Sequence, residues 1–110
     1  MGSSMGGLVS FYAGLKHPKV FGKIGVFSPS FWFSKDVTDF TKKNAKQSTS
    51  KMFFVLGDKE GMTSEFDEVS QLLLISGFNK NNFYKELIPN GEHNEAFWNS
   101  QFLKAINIFI

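Results

Sequence analysis

The sequence contains no cysteine, no arginine and no long apolar run. Without cysteine the chain has no disulfide framework, no thiolate nucleophile and no cysteine-based metal site. Twelve basic residues, all lysine, are nearly balanced by ten acids, and the forked guanidinium that suits phosphates and base edges is missing. These features argue against nucleic-acid binding. No apolar stretch approaches the roughly 20 residues of a membrane span, so we expect no membrane partner.

Apolar and aromatic residues, in contrast, are plentiful. Hydrophobic residues make up 42% of the 110 positions and aromatic residues 16%, with 14 phenylalanines. This composition predicts a buried core in one small domain and argues against disorder. With only two histidines and scattered acids, we predict no metal site and no cofactor.

The spacing of the apolar residues predicts alternating helices and strands. We predict helices over residues 5–15, 36–44, 64–76 and 95–109, and strands over residues 23–27, 52–56 and 83–88. Ser64 is the predicted N-cap of the third helix. Such alternation is typical of a layered or doubly wound α/β domain with a parallel sheet.

Residues 2–6 read Gly-Ser-Ser-Met-Gly, a G-x-S-x-G pattern with Ser4 at its centre. This pattern is typical of a sharp strand-to-helix turn that projects the central serine. We expect larger side chains at Gly2 or Gly6 to collide with neighbouring backbone, and Gly7 to let the following helix approach the sheet. An ordinary Gly/Ser loop is the alternative.

A nucleophilic serine needs a base, and histidine is the usual one. His93 follows the last predicted strand, at the end of the sheet where Ser4 also lies, so the two can converge. His17, at the end of the first helix, is better explained as a surface cap.

An acid that orients the histidine should come from an intermediate strand end. The turn that follows the strand at 52–56 carries two such acids, Asp58 and Glu60. Both qualify by position.

Four segments of the chain resemble the putative-esterase family of the α/β-hydrolase superfamily, which includes esterase-D-like and enterochelin-esterase-like enzymes. They are Gly-Ser-Ser-Met-Gly-Gly-Leu at 2–8, Phe-Ser-Pro-Ser-Phe-Trp at 27–32, Gly-Asp-Lys-Glu at 57–60, and Gly-Glu-His-Asn-Glu at 91–95 with Trp98. The resemblance implies Ser4 as nucleophile, His93 as base and Glu60 as acid, with Asp58 in reserve. It also implies a three-layer α/β-hydrolase fold, of which residues 1–110 would form the carboxyl-terminal half of one domain.

The expected reaction is hydrolysis of a small-molecule ester through an acyl-enzyme on Ser4. The backbone N–H of Met5 is the candidate oxyanion donor, and Phe31 and Trp32 are candidate pocket walls, with core packing as the alternative for both. Trp98 shares the apolar helical spacing of the last helix, so core packing is the favoured interpretation for it. An acyltransferase or peptidase on the same fold and a non-catalytic fragment are the rival interpretations.

Only Met1 precedes the motif, so we expect the strand before it, the earlier strands and the loop with a second oxyanion donor to be missing. The fragment should then be weakly active, with an exposed sheet edge. The oligomeric state stays open, as does the compartment, with cytoplasm as the default.

Overall fold

The computed structural model describes residues 1–109, which form an α/β fold around one parallel sheet. The strands are β1 (Gly2–Ser3), β2 (Lys23–Phe27), β3 (Lys51–Gly57) and β4 (Phe83–Ile88), and the helices are α1 (Met5–Lys16), α2 (Val37–Asn44), α3 (Thr63–Ile75) and α4 (Glu95–Phe109). The strand order in the sheet is β1-β2-β3-β4, and every pair is parallel. The carboxyl ends of all four strands therefore lie at one edge of the sheet.

The predicted strands over 23–27 and 83–88 are confirmed at those residues, and the strand over 52–56 is one residue longer at each end. The prediction that Ser64 caps the third helix is wrong, because α3 begins at Thr63 with Met62 in the N-cap position. Gly61, at a φ of 74°, turns the chain early enough for the Met62 carbonyl to accept from the N–H of Phe66.

A two-residue strand precedes Ser4, whereas the sequence predicted that this strand would be missing. Gly2 and Ser3 pair with Val26 and Phe27 of β2. The expectation was wrong because the first two residues of the motif itself are extended and bonded to β2. Within residues 1–109, β1 is an end strand of the sheet.

Helices cover both faces of the sheet, which gives the predicted three layers. The first face packs against α1, α2 and α3, and the second packs against α4. Side chains of β3 alternate between these two cores: Met52, Phe54 and Leu56 lie on the first side, and Phe53 and Val55 on the second. No helix within residues 1–109 is long and apolar enough to cross a membrane.

Phe54 lies at the centre of the larger core and is fully buried. Its ring centroid is less than 6 Å from four other aromatic rings, those of Phe11, Phe31, Phe66 and Phe83. Burial of this kind stabilises the fold through both apolar area and edge-to-face geometry. The loops at the carboxyl edge therefore extend from strands that are anchored in a closely packed aromatic core.

Candidate active site

Ser4 occupies the turn between β1 and α1 in a conformation that non-glycine residues rarely adopt, with φ 56° and ψ −119°. Its N–H donates to the Phe27 carbonyl at 2.9 Å, and its carbonyl accepts from the N–H groups of Ser30 and Leu8, both at 3.2 Å. Such strain costs of the order of 1–3 kcal/mol and persists only where surrounding structure enforces it. The three bonds hold the Ser4 side chain at the carboxyl edge of the sheet.

The glycines around Ser4 meet different surroundings. A Cβ on Gly2 would lie 2.5 Å from the Gly6 carbonyl oxygen, and one on Gly7 would lie 2.8 Å from that of Phe27. Both expectations for these two glycines are confirmed. The expectation for Gly6 is wrong, because a Cβ there would have no neighbour within 4 Å. The tight turn therefore depends on Gly2, while the close approach of α1 to the sheet depends on Gly7.

His93 lies in the loop between β4 and α4, and the structure brings its imidazole to Ser4. The Nε2 atom is 3.0 Å from the Ser4 hydroxyl oxygen, and Nδ1 is 2.5 Å from Oε1 of Glu60. The imidazole side chain is 39% exposed, so solvent or a small molecule can reach this side of the site.

Glu60 accepts three hydrogen bonds, and its side chain is inaccessible to solvent. Besides the contact between Oε1 and His93, Oε2 accepts from the Ser28 hydroxyl and from the Gly57 N–H, both at 2.7 Å. A buried carboxylate is costly unless it is paired and hydrogen-bonded, and these three donors meet that requirement.

Asp58, the other acid of the turn, bonds to the backbone of the loop and not to the His93 imidazole. Its Oδ1 accepts from the backbone N–H of Asn90 at 2.7 Å. Asn90 adopts a left-handed conformation with φ 63°, at the start of the loop that carries His93. Asp58 therefore fixes the loop, whereas Glu60 contacts the imidazole.

The chemistry of the partners sets the direction of each hydrogen bond. An ionised carboxylate only accepts, so Nδ1 of His93 donates to Glu60. In a neutral imidazole the other nitrogen is then an acceptor, and Nε2 accepts the Ser4 proton. The Ser30 hydroxyl, 3.2 Å from the Ser4 oxygen, is left as a donor to it. The arrangement can take a proton from Ser4 and hold positive charge on His93 beside Glu60.

Sequence reasoning missed three side chains at this site. Ser30 contacts the Ser4 hydroxyl, Ser28 contacts Glu60, and the indole N–H of Trp98 donates to the Ser28 hydroxyl at 2.9 Å. Trp98 was assigned to core packing because of its helical spacing. Ser28 and Ser30 could have been predicted as site residues, because they directly follow a predicted strand and sites in parallel sheets lie at the carboxyl ends of the strands.

The other predicted site residues lie in separate places. Met5 begins α1, so its backbone N–H has no acceptor within the helix and lies next to Ser4. Phe31 is only 2% exposed and packs in the larger core, which is one of the two alternatives that the sequence left open, whereas Trp32 is 60% exposed. His17 follows the last residue of α1, at the opposite edge of the sheet from Ser4.

Two comparisons with known proteins each gave a match. Residues 1–108 match the model of the family described as "Putative esterase". The chain is also 30% identical, over 115 residues, to the uncharacterized protein YbbA of Bacillus subtilis (strain 168). That alignment covers 96% of this chain and 46% of YbbA, so the chain spans about half the length of the curated relative it matches.

Proposed function

This chain belongs to the putative-esterase family, and we propose that it carries the reacting groups of a serine hydrolase that cleaves carboxylic esters through an acyl-enzyme on Ser4. The observation that supports this most strongly is the unbroken hydrogen-bonded series from Ser4 through His93 to Glu60. A serine hydroxyl is a weak nucleophile until a positioned base removes its proton. Because the chain spans about half of its relative, the activity is proposed for a protein that contains this chain.

In the acylation step, the Ser4 oxygen attacks the ester carbonyl while Nε2 of His93 takes the Ser4 proton. The carbonyl π bond breaks, and its electron pair forms an oxyanion. Glu60, already bonded to Nδ1, stabilises the imidazolium without itself taking the proton. Collapse of the tetrahedral intermediate breaks the bond to the alcohol, and His93 returns the proton to the departing oxygen.

Deacylation repeats these steps with water as the nucleophile. His93 removes a proton from water, the resulting hydroxide attacks the acyl-Ser4 carbonyl, and His93 then protonates Ser4 as the acid product leaves. The chain's own side chains supply all of this acid–base chemistry.

The backbone N–H of Met5 is the proposed oxyanion donor in this chain. It is the first N–H of α1, where the free donors and the helix dipole favour negative charge. In α/β hydrolases generally, a second oxyanion donor comes from another loop of the fold. Each such donor contributes about 10²–10³ to the rate.

Labelling with a fluorophosphonate probe, followed by peptide mass mapping, tests this proposal. We expect one adduct on the peptide that contains Ser4, with no adduct in Ser4→Ala and a strong decrease in His93→Gln. Ser3→Ala is the matched control because Ser3 is the neighbouring serine on the same peptide, and it should label like the parent. An adduct that persists in Ser4→Ala, or the absence of an adduct in a folded protein that contains this chain and spans the length of the relative, would contradict the proposal.

A further inference from the structure

Ser28 is held in an unusual way directly after β2. It is fully buried, its φ is 46°, and its N–H donates to the Val55 carbonyl at 2.8 Å. A left-handed conformation is uncommon for serine and costs free energy, so it is retained where the surroundings require it. In this conformation the Ser28 hydroxyl forms hydrogen bonds with both Glu60 and Trp98.

The Ser28 hydroxyl accepts one of its two hydrogen bonds and donates the other. The indole of Trp98 has a donor and no acceptor, so its N–H donates to the Ser28 oxygen at 2.9 Å. The Glu60 carboxylate has acceptors and no donor, so the Ser28 hydroxyl donates to Oε2 at 2.7 Å. Each bond polarises the next, and a bond to an ionised group is roughly twice as strong as a neutral one.

Trp98 contacts the site a second time through its ring. The ring centroids of Trp98 and His93 are 5.0 Å apart and the planes meet at 87°, an edge-to-face arrangement. One side chain of α4 is thus linked to Glu60 through Ser28 and packs directly against His93.

We propose that Ser28 and Trp98 are positioning residues that hold the Glu60 carboxylate and the His93 imidazole in the geometry required for proton transfer. This inference rests on the proposed function. Neither residue exchanges a proton with the substrate, so their loss should slow the chemical step and leave substrate binding nearly unchanged. Ser28→Ala should lower kcat by about 10- to 100-fold, since it removes a hydrogen bond to a buried charge. Trp98→Phe, which keeps an aromatic ring, should lower kcat by about 3- to 10-fold.

The first test is steady-state ester hydrolysis by the two single variants and by the double variant. KM should change by less than about twofold. Trp98→Phe should lower kcat far less in the Ser28→Ala background than in the parent, because the hydroxyl that links Trp98 to Glu60 is already absent. Ser70→Ala is the matched control, since Ser70 is also buried but bonds a carbonyl of its own helix. Unchanged kcat in both single variants, or full additivity in the double variant, would overturn the inference.

The second test needs no substrate, so it separates this inference from the proposed function. The sequence has two tryptophans, and Trp32→Phe assigns their indole N–H resonances by NMR. In Ser28→Ala we expect the indole N–H resonance of Trp98 and the resonance of the His93 Nδ1 proton to shift. The indole N–H resonance of Trp32 should stay unchanged. A folded Ser28→Ala variant with neither shift would overturn the inference. If a folded protein that contains this chain and spans the length of the relative shows both shifts but neither labels nor hydrolyses esters, the proposed function fails, while the link between Ser28, Trp98 and His93 remains.

If Ser28→Ala does not fold, both tests use Trp98→Phe alone. The quantities measured are then its kcat and the chemical shift of the His93 Nδ1 proton. A folded Trp98→Phe variant with parental values for both would overturn the inference.

Discussion

Nε2 of His93 lies 3.0 Å from the Ser4 hydroxyl oxygen, across 89 positions of sequence and across the whole sheet. Ser4 follows β1 and His93 follows β4, the two strands at opposite ends of the strand order. Three strand spacings amount to about 14 Å, so the loop after β4 has to cross the ends of the two middle strands. The convergence therefore depends on what holds this loop against the end of β3.

The crossing depends on Gly57, where the two backbones nearly touch. A Cβ on Gly57 would lie 2.2 Å from the carbonyl oxygen of Gly91, which also accepts from the Lys59 N–H at 3.1 Å. We expect Gly57→Ala to displace the loop and lower kcat by 10²-fold or more, because about 1 Å of misplacement can cost that much. Ester hydrolysis and the melting temperature should be measured together. Parental kcat in Gly57→Ala would contradict this account of the loop.

The two acids of the β3 turn should respond differently to neutral replacement. Glu60→Gln removes the charge that stabilises the imidazolium and should lower kcat by about 10³- to 10⁴-fold. Asp58→Asn keeps an oxygen that can accept from the Asn90 N–H, so kcat should fall by less than about tenfold. Measured kcat values for both variants decide between the acids, and a larger loss in Asp58→Asn would reverse the assignment.

The glycines of the serine motif provide a matched pair for stability. Gly2→Ala places a methyl group against the Gly6 backbone and should destabilise the fold by about 1–3 kcal/mol. Gly6→Ala adds a methyl group in open space within α1 and should stabilise it by about 0.4–1 kcal/mol. Denaturant unfolding gives both values. Equal destabilisation by the two variants would mean that the turn is packed differently.

The aromatic core should depend on Phe54 far more than on an exposed phenylalanine. Phe54→Ala leaves a cavity among four rings and should cost about 3–5 kcal/mol of unfolding free energy. Phe33, which is 60% exposed, is the control, and Phe33→Ala should change stability by about 0.5 kcal/mol or less. Chemical denaturation measures the unfolding free energies of both variants. Equal values for Phe54→Ala and Phe33→Ala would contradict the position of Phe54 in the core.

The sequence predicted most of the fold because the apolar runs are bounded by glycine, proline and polar residues. Strands β2 and β4 were predicted at their observed residues, and the convergence of Ser4 with His93 followed from the rule that strand ends of a parallel sheet meet. Pattern alone could not decide between Asp58 and Glu60 by position, since both lie in one turn. That choice depends on side-chain direction, which is set by the bonds of Glu60 to Gly57 and Ser28.

The same limit explains what was missed around Trp98. Helical spacing identifies the face of α4 that packs on the sheet, and the sequence therefore assigned Trp98 to the core. Periodicity carries no information about where an indole N–H is directed or which hydroxyl accepts it. Likewise, the clear space beside Gly6 depends on the path of the neighbouring backbone, which the motif does not specify.

Intact-protein and peptide mass spectrometry during turnover of p-nitrophenyl acetate tests the central claim most directly. The account predicts a transient acetyl group on Ser4, present in Ser3→Ala and absent in Ser4→Ala, with p-nitrophenol release that falls together with the adduct. Turnover that continues undiminished in Ser4→Ala, or an acetyl group that resides on another residue throughout the reaction, would contradict it.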